Sequence, residues 1–171
     1  MTNRGLFNWT VWISAWSALY TLLYLLSPLG DYGVVYCTFV ALPIYFLSGA
    51  KKEEFWNYIV SFVTGVLWGW FYILVINWMC ANWGLSAPVS SALNVLIITI
   101  VCVGFHFIVT PNTLFNKVPA MFGGIAMMFS TGGTKVIPVA ITLVLGACLA
   151  FLCNLGLKFL DAEGRWCKPH A

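Results

Sequence analysis

Four stretches of this chain, Leu6–Leu26, Phe55–Met79, Val89–Val109 and Val136–Leu157, each run for more than twenty residues without a single Asp, Glu, Lys or Arg. A helix of about 20 apolar residues crosses the ~30 Å hydrocarbon core of a bilayer. Inside that core every backbone N–H and C=O must be bonded within the protein, which leaves helices or closed barrels as spanning structures. Runs of this length are helical spans. Only 8% of the 171 residues are charged and 61% are hydrophobic, against roughly 25% charged residues in a soluble domain. Such a chain cannot cover a water-facing surface, so the expected fold class is an all-α integral membrane protein whose first partner is the lipid bilayer. The nine Trp fit this, because indole rings favour the headgroup level. Trp9 and Trp12 lie near one end of the first run, and Trp78 and Trp83 lie around the end of the second.

Two further apolar segments are shorter. Val34–Ser48 carries Pro43, and Val118–Thr131 carries Pro119 and the pair Gly123-Gly124. About 15 residues at 1.5 Å per residue reach only ~22 Å. They are thin crossings, tilted helices continued by irregular chain, or half-helices that dip in and out. Charge placement favours six crossings. With both termini inside, Arg4, Lys51, Lys52, Lys117, Lys158, Arg165 and Lys168 are cytoplasmic and only Lys135 faces out. A re-entrant hairpin at Val118–Thr131 would leave five cations inside and three outside, a weaker positive-inside bias. Met1–Gly5 is too short for a cleavable leader, and the first apolar run exceeds a signal core, so it is expected to be retained. The net charge of +3 is an orientation bias and not a nucleic-acid footprint.

The chain also matches itself at an offset of 83 residues. Pro28, Phe39, Phe46, Gly49 and Lys52 fall on Pro111, Phe122, Phe129, Gly132 and Lys135, and Ser48 falls on Thr131. Each half then reads as long span, short Pro-containing span, long span. Three spans per half is an odd number, so the second copy enters the membrane upside down. The expected organisation is a single transmembrane domain over residues 1–171, with a 3+3 inverted repeat of residues 6–80 and 89–158 and a cytoplasmic tail at 159–171. Inverted repeats with interrupted helices place solute sites near the membrane midplane. The alternative is two unrelated short helices.

The stretches Tyr36–Pro43 (YCTFVALP) and Val118–Gly133 (VPAMFGGIAMMFSTGG) resemble the hallmark regions of a family of small bacterial inner-membrane proteins, catalogued as a domain of unknown function, number 1097 in its series. The resemblance spans about residues 6–158. It implies a multi-pass protein of the bacterial inner membrane and carries no activity. Leu42 stands where other members place Cys beside the Pro, which implies that a thiol there is not essential.

The spans lack the acids and bases that proton- or sodium-driven pumps bury. They also lack paired carboxylates, a nucleophile–base set, a His cluster and a phosphate-cradling Gly loop. Neither an enzyme nor a cofactor or metal is expected. The six Cys show no C-x-x-C pair and read as inert thiols. The one ionisable intramembrane residue is His106. Thr99, Cys102 and His106 share a helical face, with Asn94 offset from it by a little over a turn. They form either a narrow polar lining or a set of helix–helix hydrogen bonds. Phe39 and Phe46, like Phe122 and Phe129, stack at i, i+7, as apolar constrictions of a pore or as packing and lipid contacts. Gly65, Gly69, Gly146 and Ala150 read as close helix contacts.

The functional expectation is a channel or facilitator for a small, mostly neutral polar solute such as urea, a short amide, ammonia or a small alcohol. Candidate site residues are Asn94, Thr99, Cys102, His106, Phe39, Pro43, Phe46, Pro119, Phe122, Gly123, Gly124 and Phe129. The alternatives are a non-transporting scaffold or anchor, for which the basic segment Arg165–Lys168 would serve, and a secondary transporter. A slender bundle of this size is expected to form a symmetric homo-oligomer.

Overall fold

The computed structural model describes residues 1–168; the last three residues of the tail expected at 159–171 lie outside the described residues. It contains six α-helices: α1 (Asn3–Leu26), α2 (Thr38–Phe46), α3 (Phe55–Trp83), α4 (Ala87–Gly104), α5 (Val118–Ser130) and α6 (Val136–Leu155). Four elements are long and apolar enough to cross a membrane: α1, α3 with its leading turn, α4 with its continuation to Val109, and α6 with its trailing turn. The β-structure among the described residues is one isolated bridge, Leu160 to Trp166.

Local chemistry sets the ends. The Thr2 hydroxyl accepts the Gly5 N–H to start α1, and Gly84 in the left-handed region (φ 64°) ends α3. Prolines begin α4 and α5 within their first turn, where an N–H has no intrahelical partner to lose. Here the structure departs from the expected interruption of both short segments. Pro43 does lie inside α2, but Pro119 opens α5, and Gly123-Gly124 sit within one continuous helix. The 9 residues of α2 span ~14 Å and the 13 of α5 ~20 Å. Irregular chain and short 3-10 turns at residues 28–37 lead into α2, and loop at 110–117 leads into α5.

α5 lies along α3 and α2 along α6, α3 and α6 pack on each other, and α1 and α4 flank α6 and α3. Successive helices run in opposite senses. Tyr36 at the start of α2 bonds Ser130 at the end of α5, and Ile44 meets Gly123, so these two are antiparallel neighbours. α3 and α5 run parallel, since Gly65 faces Met121 and Gly69 faces Ile125 and Met128. α2 and α6 do likewise: Gly146 faces Thr38, and Asn154 Nδ2 donates to the Gly49 carbonyl at 2.8 Å. Both described termini meet at one end, where Thr2 Oγ1 donates to the Glu163 carbonyl and Asn8 Nδ2 to that of Gly164. That end also holds Lys51, Lys52, Lys117 (paired with Glu54 at 2.9 Å) and Lys158. Lys135 bonds the Tyr32 carbonyl at the other.

The core is assembled where backbone approaches backbone. A Cβ on Gly65 would lie 2.0 Å from the Met121 carbonyl oxygen, one on Gly124 2.4 Å from that of Phe62, and one on Gly146 2.7 Å from that of Thr38. Around these crossings Tyr45, Phe62, Met128, Val139, Leu143, Ala147 and Ala150 are fully buried. The outward faces of α1 and α4 carry exposed Leu19, Leu22, Leu23, Leu96, Ile97 and Ile100.

Both short helices end in the same hydrogen-bonded turn. Ser48 and Ala50 N–H donate to the Tyr45 carbonyl and Gly49 N–H to that of Phe46; Thr131 and Gly133 N–H donate to Met128 and Gly132 N–H to Phe129. Gly49, Ala50, Gly132 and Gly133 all have positive φ. Ala50, at φ 44°, occupies a conformation that glycine adopts without strain.

Candidate functional site

The polar residues of α4 turn inward onto α3 and α5. Going down the seam, Cys80 Sγ donates to Ser90 Oγ at 3.3 Å and Asn94 Nδ2 to the Tyr72 carbonyl at 3.2 Å. Tyr72 and Thr99 share a hydroxyl–hydroxyl bond of 2.8 Å, and Cys102 Sγ contacts Met121 Sδ at 3.3 Å. His106 Nδ1 lies 2.5 Å from the Phe115 carbonyl oxygen. A carbonyl only accepts, so Nδ1 carries the proton, and in that tautomer of the imidazole Nε2 is an acceptor.

Two atoms in this seam are left over. Asn94 Oδ1 and His106 Nε2 are buried and have no protein partner among the described residues; both residues are 1% exposed. A buried acceptor without a donor costs about 1–3 kcal/mol, so each is a place where a donor group would be welcome. They are twelve residues apart, ~18 Å along α4 and its continuation. His106 sits in a π-helical turn, Phe105–Val109, which continues α4. Widened turns of this kind frequently occur at functional sites. Beside the seam, a groove of about 720 Å³ between α3 and α4 is lined by Thr64, Trp68, Phe71, Ile98, Phe105 and Phe115, among others. The last two rings also stand 5.4 and 6.3 Å from His106.

The remaining candidates lie elsewhere. Phe39, Phe122 and Phe129 point outward at 46, 43 and 42% exposure, with Pro43 and Pro119 exposed beside them. Phe46 packs on Trp9 with ring centroids 5.5 Å apart. Gly123 and Gly124 are buried contacts against Ile44, Phe62 and Val66. Phe39, Phe46 and Phe122 therefore do not converge with Asn94, Thr99, Cys102 and His106, whereas the Phe129 ring stands edge-on to that of Tyr72 with centroids 6.0 Å apart. Sequence reasoning missed Tyr72, whose carbonyl and hydroxyl hold two of the four polar residues. A tyrosine in an apolar span is a signal, because its buried O–H needs a partner. The other flank carries matching bonds, Tyr24 to Thr142 at 2.6 Å and Tyr20 to Thr38 at 2.7 Å.

The basic tail segment is engaged too. Arg165 pairs with Glu163 at 2.9 Å, and the Trp166 and Phe159 rings lie 6.0 and 5.4 Å from Trp12. No disulfide and no group of His, Cys, Asp and Glu able to hold a metal occurs among the described residues.

The class defined by these observations is an all-helical protein with four helices long and apolar enough to span a membrane. Residues 10–157 match the family described as a protein of unknown function (DUF1097), and the chain belongs to that family. No curated protein and no solved structure matches it.

Proposed function

We propose that this chain is a non-enzymatic integral membrane protein of the bacterial inner membrane. In this reading it crosses six times with both termini cytoplasmic, and it facilitates passage of a small, mostly neutral polar solute. The observation that carries the solute reading is the pair of buried, unpartnered acceptors, Asn94 Oδ1 on α4 and His106 Nε2 on its π-helical continuation. Urea, a short amide, ammonia or a small alcohol presents the N–H or O–H donors that would satisfy them. An ~18 Å separation places the two at different depths of a ~30 Å hydrocarbon layer. The scarcity of charge suits a passive route, because a driven carrier needs titratable or ion-binding groups inside the bundle.

The inverted repeat is supported by how the halves exchange partners. Each short helix packs on the last long helix of the other half, α2 on α6 and α5 on α3, while α1 and α4 flank those same two. Thr38 and Met121, equivalent at the offset of 83, each face a glycine of the other half's last long helix, Gly146 and Gly65, and the two short helices end in the same turn 83 residues apart. The outward faces bearing Phe39 and Phe122 are then available to lipid or to other subunits of a symmetric homo-oligomer.

In liposomes containing the purified protein, stopped-flow light scattering should report permeation of at least one of urea, acetamide, glycerol and ammonia well above that of empty vesicles. His106→Ala should change that rate. Equal rates with and without protein for all four would overturn the facilitator reading and favour a scaffold. A rate that required an ion gradient would favour a secondary transporter.

A further inference from the structure

We propose that the turn between α2 and α3, together with the end of α6, forms a binding site for an anionic phospholipid with two phosphodiester groups. The proposal rests on placement of the chain in a membrane and is independent of any solute passage.

A pocket of about 360 Å³ lies at the end of the bundle that carries both described termini, lined by Gly49 to Glu53, Phe151, Asn154, Leu155, Leu157 and Lys158. Three ammonium groups, from Lys51, Lys52 and Lys158, border it. None of the three takes part in an ion pair among the described residues, whose pairs are Lys117–Glu54 and Arg165–Glu163. Glu53 is the acid on the lining, so the lining carries a net charge of about +2, which complements two phosphodiester charges. The floor is fixed by two bonds. The Tyr45 hydroxyl, on a fully buried ring, donates to the Lys51 carbonyl at 2.6 Å, and Asn154 Nδ2 donates to the Gly49 carbonyl at 2.8 Å.

This pocket opens into a second hollow of about 640 Å³ that shares Lys52, Glu53 and Phe151 and continues along Phe55 and Trp56. Its walls are mainly apolar, and Trp56 is 64% exposed. A free anion has no use for an aromatic groove, whereas a phospholipid has both a phosphate for the lysines and acyl chains for the groove. Basic pockets between spans at the cytoplasmic surface commonly hold diphosphatidyl headgroups, and tryptophan prefers that depth.

The test is native mass spectrometry of the detergent-purified full chain, titrated with cardiolipin, phosphatidylglycerol, phosphatidylcholine or inorganic phosphate. Cardiolipin should be retained preferentially. The double variant Lys52→Gln/Lys158→Gln should weaken its binding about thirtyfold, as expected for two lysines near an anionic headgroup. Lys135→Gln, at the far end, should leave it unchanged. Equal retention of cardiolipin and phosphatidylcholine, or an unweakened double variant, would overturn the proposal. Displacement of cardiolipin by millimolar phosphate alone would assign the site to a free anion and overturn it as well. A chain that stayed monodisperse without detergent would contradict the membrane reading, a result distinguishable from failure of the lipid site.

Discussion

Gly65→Leu is expected to abolish the folded protein, and Gly65→Ala to destabilise it by about 3 kcal/mol or more. Inserting carbon into a packed core costs roughly 1–3 kcal/mol when side chains can yield. Here they cannot, because the atoms in the way are the Met121 carbonyl oxygen at 2.0 Å and the carbon and Cα behind it at 2.7 and 2.8 Å. Relief requires moving α5 off α3 by more than an ångström, and even a gap of 0.5–1 Å forfeits a quarter to a half of each dispersion contact across the crossing. Gly124→Ala, pressed against the Phe62 carbonyl and Val66 nitrogen at 2.4 and 2.7 Å, should behave like Gly65→Ala. Leu67→Ala, on the exposed face of the same helix, should fall within about 0.5 kcal/mol of the parent. Thermal unfolding in detergent, followed by loss of the monodisperse size-exclusion peak, reads all four.

Trp12→Ala carries the second large effect, a loss of about 3 kcal/mol, in the range for large-to-small changes at a packed aromatic. Its Nε1 donates to the Leu152 carbonyl at 3.2 Å, and Trp9 Nε1 donates to that of Cys153 at 3.1 Å. Both carbonyls belong to the last turn of α6, where intrahelical partners run out; that of Cys153 also accepts the Gly156 N–H, and the two indoles tie this end of α6 to α1. The Trp12 ring also stacks on Phe159 and meets Trp166 and Trp16, which clamps the C-terminal hairpin. Gly156 lies close enough that a Cβ there would come within 2.4 Å of the ring. Trp12→Phe keeps an aromatic face and loses the donor, and should cost about 1 kcal/mol. Limited proteolysis distinguishes the two: Trp12→Ala should expose residues 157–166 to cleavage, and Trp12→Phe should protect them almost as well as the parent.

The long helices were legible in the sequence because an uncharged run above twenty residues has few other fates. Their ends shifted by a few residues for local reasons, as where α3 runs on to Gly84. The short segments were legible as short and not as shape. Pro119 and Gly123-Gly124 have the composition of a break, yet the proline occupies a first turn and the glycines serve a helix crossing. Only the facing backbone of α3 reveals the difference. At the candidate site, Asn94 and His106 stood out as polar groups in an apolar run. Their partners, the Tyr72 and Phe115 carbonyls, carry no side-chain signature and could not be read from residue types. The outward turn of Phe39, Phe122 and Phe129 depends on which neighbours α2 and α5 choose, which i, i+7 spacing leaves open.

The central claim is that two halves of three helices lie in the membrane in opposite orientations. Lys51 and Thr134 occupy equivalent positions at the offset of 83, both exposed, each just beyond the turn that ends a short helix. Lys51→Cys and Thr134→Cys can be placed singly in a background with Cys80, Cys148 and Cys167 changed to Ala and probed in intact cells with a membrane-impermeant maleimide. The inverted arrangement predicts that residue 134 labels from outside, and that residue 51 labels only after the inner membrane is permeabilised. Labelling of both from the same side would contradict it.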